Sequence, residues 1–276
     1  MMCGLLRPTS GEVLIGGRSI RSGSGADLRA GVGICPQENI LWSKLTCFEQ
    51  LVFSARMYNV PGNVARQRAN ELLGKMGLEA KRNKLASTLS GGMKRRMNVI
   101  LALMHDPGIL VLDEPEAGLD PQSRVLVRDF IRETARQRTV IITTHNMDEA
   151  DRLADRVAII DHGKLLRLDT PSNLKRSIGQ GDSLEMKLFA GPSIPEPAAT
   201  GPDPGLDRAF QSLREKGLEV TMMEESCIIR AMDLIPRIPA IYQILEKEGV
   251  TVTEMKIREN TLEDVFIHLT GKSLRS

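Results

Sequence analysis

Apolar and polar positions change their period along the chain, and each change predicts a different kind of element. Residues 109–112, 140–142 and 157–160 are unbroken apolar runs that end in polar residues. Such runs suit strands buried on both faces of a parallel sheet. Residues 12–15 and 32–35 read as two further short strands. Between about 46 and 104 the pattern becomes helical. Thr46 and Glu49 have the spacing of a capping box. Asn63 precedes a stretch in which Val64, Leu72, Leu73 and Met76 recur at roughly helical intervals. Asp120 followed by Pro121 predicts another helix, with a capping side chain before a proline in the first turn. Strands alternating with helices predict an α/β sheet interrupted by a helical insertion.

After residue 183 the pattern shifts again. Leu184, Met186 and Leu188 alternate as in a strand. A helix fits 206–216, strands fit 218–223 and 227–231, a helix fits 235–248 and a strand fits 250–258. The order β-α-β-β-α-β is the split βαβ of ferredoxin-like α+β folds. A helix at 261–270, capped by Asn260 or Thr261, closes the chain. Residues 191–205 hold five prolines and three glycines, too many for a helix or strand interior, and read as a linker inside the first connection. The expected domains are therefore 1–180, with a helical subdomain at about 46–104, and a small accessory domain at 183–276.

Composition narrows the class. The 276 residues are 41% hydrophobic and 26% charged, enough to bury a core. Thirty-seven basic against 35 acidic residues leave a net charge of +2, which argues against nucleic acid as a partner. The longest apolar run, 99–104, is six residues, whereas spanning a bilayer takes about 20. No membrane-crossing segment is expected. The opening Met1-Met2-Cys3-Gly4 lacks the features of a secretory signal. Cys3, Cys35, Cys47 and Cys227 form no Cys-x-x-Cys pair and read as reduced thiols of a cytosolic protein.

Four places carry candidate chemistry. The apolar strand 109–112 ends in Asp113 and Glu114. At a sheet's carboxyl edge, where α/β proteins bind ligands, Asp113 could hold Mg²⁺ and Glu114 could orient or deprotonate a water; the alternative is a plain acidic turn. Ser90, Gly91 and Gly92 stand at a helix start, where free N–H groups and the helix dipole favour an anion, or where Ser90 simply caps the helix. His145, after the strand 140–142, could contact a phosphate or serve as a solvated end group. Gln37, ending the strand that contains Ile34, could sense a metal-bound water or merely terminate the strand.

Taken together, Gln37, Ser90-Gly91-Gly92, Asp113-Glu114, Ala117-Gly118-Leu119-Asp120 and His145 occur in one order at compatible spacings. The series resembles the nucleotide-binding domain of ATP-binding-cassette (ABC) proteins, with its glutamine loop, signature, Walker B strand, aspartate loop and histidine switch. The resemblance covers about residues 4–175 and implies a P-loop NTPase-like parallel sheet with a helical subdomain. Met93 stands where the signature usually has glutamine, and Glu116 where threonine or serine is commoner. Met93 and the tail Thr261-Leu262-Glu263-Asp264-Val265-Phe266 are similar to drug and polysaccharide exporters of the daunorubicin-resistance kind.

The family's phosphate loop, Gly-x4-Gly-Lys-Ser/Thr, does not occur in the sequence. Gly271-Lys272-Ser273 has Phe266 in place of the first glycine, and Gly23-Ser24-Gly25 lacks a lysine. The resemblance thus implies a chain truncated before that loop. Charge-assisted hydrogen bonds contribute about 1.5–3 kcal/mol each, so losing several donors would remove about 5 kcal/mol, or three to four decades of affinity. The 276 residues alone are not expected to hold Mg-ATP tightly. The resemblance further implies ATP and Mg²⁺ as cofactors, with Asp113 and Gln37 toward the metal and Glu114 and His145 toward water and the γ-phosphate. Ser90, Gly91, Gly92 and Asp120 would belong to a nucleotide site shared with a second such domain, identical or different. It implies too a separate transmembrane permease and a place on the cytoplasmic face of the membrane. The alternatives are a degenerate partner that lends its signature to an intact ATPase, and a soluble ABC protein unconnected with transport.

Overall fold

A computed structural model describes residues 6, 8–19, 30–177, 182–190, 204–222, 227–231, 234–258 and 260–270. Residues 1–5, Gly23-Ser24-Gly25, linker residues 191–203 and Gly271-Lys272-Ser273 lie outside the described residues. Contacts divide the chain into two units, Met1–Asn146 and Met147–Ser276.

The first unit begins with a hairpin, β1 (Leu14–Ile15) and β2 (Arg18–Ser19). They are joined through Gly16 and Gly17 at φ 56° and 76°, the left-handed pair that a tight hairpin turn requires. Its centre is a parallel sheet ordered β3-β4-β5 from β3 (Val32–Cys35), β4 (Ile109–Asp113) and β5 (Thr139–Thr143). Between β3 and β4 lies the helical insertion: α1 (Cys47–Met57), α2 (Gly62–Lys75), two 3-10 turns, and α3 (Gly91–Leu101). The Thr46–Glu49 capping box is present, with Glu49 N donating to Thr46 Oγ1 (3.2 Å) and Thr46 N to Glu49 Oε2 (2.9 Å). α2 starts two residues earlier than Asn63 suggested: Pro61 takes the cap position, and its carbonyl accepts from Ala65 N at 2.9 Å. α4 (Pro121–Ala135) returns the chain from β4 to β5 and is capped by Asp120, whose Oδ1 accepts from Ser123 N at 3.0 Å. Leu51, Leu73, Met97, Ile100, Leu110 and Leu112 are fully buried, each stabilising the unit by about 1.5–3 kcal/mol.

Two of the apolar runs are less buried than their composition predicts. Val140, Ile141 and Ile142 on β5 are half-buried. β6 (Val157–Asp161) buries only Ile159 well, because it pairs antiparallel with β7 (Lys164–Asp169) rather than in the parallel sheet. His162 and Gly163, at φ 46° and 75°, make the turn between them.

In the second unit α5 (Met147–Leu153) precedes this hairpin and α6 (Pro171–Ser177) follows it. Then come β8 (Asp182–Ala190), α7 (Pro204–Glu215), β9 (Glu219–Met222), β10 (Cys227–Ala231), α8 (Ile238–Lys247), β11 (Val250–Arg258) and α9 (Leu262–Thr270). Their sheet order is β11-β8-β10-β9, with every neighbouring pair antiparallel. β10 thus sits between β8 and β9, which is the split βαβ arrangement. Leu184, Met186, Phe210, Leu213, Ile229 and Ile241 form its core. The helix expected from 235 opens as a 3-10 turn at Ile235–Arg237, since Pro236 and Pro239 withhold amide donors.

Leu262 and Val265 of α9 pack with Ile159 and Leu174 into a second small core, and Asn260 Nδ2 donates to Lys175 O at 3.3 Å. The tail helix thereby packs against α5, β6 and α6. Its cap is Thr261, whose Oγ1 accepts from Asp264 N at 3.2 Å.

Candidate active site

Register decides which side chains meet. Cys35 on β3 lies opposite Leu112 on β4, and Asp113 opposite Thr143 on β5. Neighbouring strands lie about 4.8 Å apart, so residues just beyond the three carboxyl ends fall within side-chain reach. Gln37, Asp113, Glu114 and His145 all come from this edge. Gln37 Nε2 donates to Glu114 Oε2 at 3.1 Å. His145 Nδ1 stands 2.8 Å from Glu114 Oε1. Asp113 Oδ1 accepts from the Thr143 hydroxyl.

Glu114 is the centre of this group. Its φ is +48°, a left-handed conformation that costs a non-glycine residue about 1–3 kcal/mol. The surrounding bonds hold it there: its N–H donates to Thr143 O at 2.9 Å and its carbonyl accepts from Arg95 Nη2 at 2.9 Å. The Glu114 side chain is 22% exposed, whereas His145 is 76% exposed. A carboxylate set back under an exposed imidazole can act on a ligand arriving from solvent.

Ser90, Gly91, Gly92 and Asp120 form a second group around the N-termini of α3 and α4. Ser90 does cap α3, its Oγ accepting from Met93 N at 3.3 Å. A Cβ added to Gly91 would meet nothing within 4 Å, so open space lies over the helix start. On Gly92 it would lie 3.8 Å from Asp120 Oδ2 and 3.4 Å from Leu119 Cδ2, so the signature helix and the aspartate loop adjoin. The exposed Asp120 carboxyl is held below its ordinary 3.8 by hydrogen bonds from the Ser123 side chain and then its amide.

Sequence reading passed over three participants. Thr143 bonds Asp113, Arg95 bonds the backbone of the Asp113–Glu114 and Pro36–Gln37 segments, and Asn98 bonds Glu38 O and Asn39 Oδ1. The available signal was a cation and an amide three residues apart on a helix otherwise lined by Met97, Val99 and Ile100.

A family model described as ABC transporter matches residues 1–117. The linearmycin resistance ATP-binding protein LnrL of Bacillus subtilis is 33% identical over 281 aligned positions, covering 100% of this chain and 85% of that protein. The chain belongs to the ABC transporter family. Human ABCA4, a retinal-specific phospholipid-transporting ATPase, is 43% identical over 66% of this ABC chain, and human ATP-binding cassette sub-family A member 2 is 40% identical over 98% of it. The ABC chain spans only 8% and 12% of those two proteins. Among solved structures, an ATP-binding subunit of an ABC transporter superposes with a TM-score of 0.58 at 26% identity, over 64% of this chain and 74% of that one. Clostridium perfringens cbiO1, part of the ABC transporter complex cbiONQ, does so with 0.58 at 30% identity, over 64% and 72%. The fold is the P-loop NTPase fold of ABC ATPase subunits. Among the described residues no helix is long and apolar enough to cross a membrane.

The donor set of the ABC site suits a metal that arrives with its nucleotide. Among the described residues no cluster of three or more His, Cys, Asp or Glu side chains could hold a resident ion. One carboxylate, Asp113, and the Gln37 amide remain. Mg²⁺ is ordinarily held by one or two carboxylates, with phosphates and water filling its other positions.

Proposed function

We propose that this chain is the ATP-hydrolysing subunit of an ABC-type exporter, working through a separate transmembrane partner on the cytoplasmic face of the membrane. The observation that carries this is the Glu114 carboxylate bracketed by Gln37 and His145 beside Asp113. Mg-ATP is the substrate. Asp113 and the Gln37 amide oxygen are placed toward the Mg²⁺, and Glu114 toward the attacking water. Each Glu114 oxygen has one partner as the protein stands, and a carboxylate oxygen accepts two hydrogen bonds, so a water can be held beside Gln37 and His145. With His145 Nδ1 turned to Glu114, Nε2 is the nitrogen left for a terminal phosphate, and it donates only when the ring carries its second proton.

Ser90, Gly91, Gly92 and Asp120 face outward to a nucleotide shared with a second nucleotide-binding domain, the same chain or another. The similarity to LnrL, a linearmycin resistance ATP-binding protein, supports export of a drug as the task. The phosphates are held by a Gly-x4-Gly-Lys-Ser/Thr loop that the 276 residues do not contain.

The second reading is a partner that lends its signature to an intact ATPase. Calorimetric titration of the 276 residues with Mg-ATP is expected to give millimolar affinity, and a micromolar Kd overturns that expectation. In the assembled transporter, Glu114→Gln is expected to abolish turnover while nucleotide binding persists.

A further inference from the structure

α3 carries a positive charge into the interior. Arg95 is 4% exposed, beside the buried Met97, Val99 and Ile100. A buried guanidinium is tolerable only if its donors are satisfied. Here every N–H meets a main-chain carbonyl. Nε reaches Pro115 at 3.4 Å, Nη1 reaches Pro36 at 2.6 Å and Gln37 at 3.0 Å, and Nη2 reaches Glu114 at 2.9 Å as well as Asp113. These acceptors belong to two segments, the one that bears Gln37 and the one that bears Glu114. Asn98, on the next turn and also buried, donates Nδ2 to Glu38 O at 3.3 Å and Asn39 Oδ1 at 2.9 Å. The helix that starts at Ser90 therefore grips both active-site segments through their backbone.

We propose that Arg95 is a positioning residue: its guanidinium sets the spacing between Gln37 and Glu114, and so keeps the Gln37–Glu114–His145 chain in hydrogen-bond range. The planar fork is needed because it serves two segments at once, which a lysine's single ammonium cannot reproduce. Its bond to the Glu114 carbonyl also helps hold that residue at φ +48°. Arg95 touches no reacting atom. Its effect on turnover rests on the reading of Glu114 as the water-activating carboxylate, whereas its effect on geometry does not.

Heteronuclear NMR of the full chain without nucleotide tests the geometry, with the Gln37 side-chain amide and the His145 ring as reporters. Arg95→Lys should displace or broaden both signals while the amides of Leu184 and Ile229, in the other unit, stay in place. Asn98→Ala should displace Glu38 and Asn39 and leave His145 unmoved. Arg96→Lys, whose guanidinium reaches the Met76 carbonyl at 2.7 Å, should leave both reporters unchanged. If Arg95→Lys disturbs the fold of residues 1–146, Arg95→Gln in the same experiment replaces it. Unmoved Gln37 and His145 signals in a folded Arg95 variant overturn the proposal.

In the assembled transporter, Arg95→Lys should lower kcat about a hundredfold with little change in KM for Mg-ATP, as expected for a misplaced reacting group. A raised KM at unchanged kcat overturns the proposal. Displaced reporters in a transporter that hydrolyses no ATP even with Arg95 intact would uphold the positioning role and remove the hydrolytic reading instead.

Discussion

Arg128 closes a two-pronged hydrogen bond on Glu116, Nε to Oε1 at 2.9 Å and Nη2 to Oε2 at 2.7 Å. The two side chains are 17% and 4% exposed, so this ion pair is largely withdrawn from water. It fastens the turn after Glu114 to α4, at the position where the family commonly has threonine or serine. Removing one member of a buried pair leaves the other charge uncompensated, at about 3–5 kcal/mol. Glu116→Gln and Arg128→Met should each lower the unfolding free energy from urea titration by that order, and the joint replacement Glu116→Met with Arg128→Leu should recover most of the loss. Single variants within error of the parent protein would show that the pair does not hold the turn.

Gly33 marks the closest approach of β3 to the end of the helical insertion. A Cβ there would run into the Ala102 carbonyl oxygen and come within 2.8 Å of Pro107 Cγ, both of limited freedom to move. Gly33→Ala is expected to destabilise the unit by about 1–3 kcal/mol, the usual cost of overpacking. Thermal melting checks this, and an unchanged Tm would mean that the loop yields.

Burial pushes the Cys35 and Cys227 thiols up to about 11 from their ordinary 9.0. The thiolate is the reactive form, so both should resist iodoacetamide at neutral pH until urea exposes them; replacing Cys3 with serine removes one competing thiol. A proton held more tightly in the folded state also means that stability is complete below pH 9 and is lost between about pH 9 and 11. Denaturant titrations across that range should show the decline. Rapid native labelling of Cys35 would contradict its burial.

The acid side has the opposite sign. The Thr46 backbone N–H and then its hydroxyl hold Glu49 below its ordinary 4.5. A depressed carboxyl contributes above its unfolded value and loses that contribution as pH falls through its folded value. Thr46→Ala should cost about 1 kcal/mol at neutral pH through the lost cap. Glu49→Gln, which removes the titrating carboxyl itself, should flatten the stability profile below pH 4.5. An acid limb as steep as the parent's would place the pH dependence elsewhere.

Much of the architecture could be read locally. The split βαβ order, the Thr46 capping box and the helix behind Asp120-Pro121 follow from period, caps and turn residues acting over a few positions. The strand ends bearing Gln37, Asp113, Glu114 and His145 were visible for the same reason. Where the reading missed, distant packing was responsible. The run at 157–160 is apolar enough for a central strand, yet the turn at His162-Gly163 folds it into a hairpin. The tail helix could be read from its cap, but the packing of Leu262 and Val265 on Ile159 and Leu174 could not. No periodicity reports a partner about a hundred residues away.

The order and kind of the polar residues at the strand ends were settled by the amino-acid sequence alone, because a strand's exit and a helix's cap depend on neighbours within one turn. Only the tertiary structure decided how those residues are held. Arg95 gathering the carbonyls of two separate segments, and Glu116 neutralised by Arg128, are choices of burial. Whether a buried charge is ruinous or useful depends on which groups the completed fold brings against it.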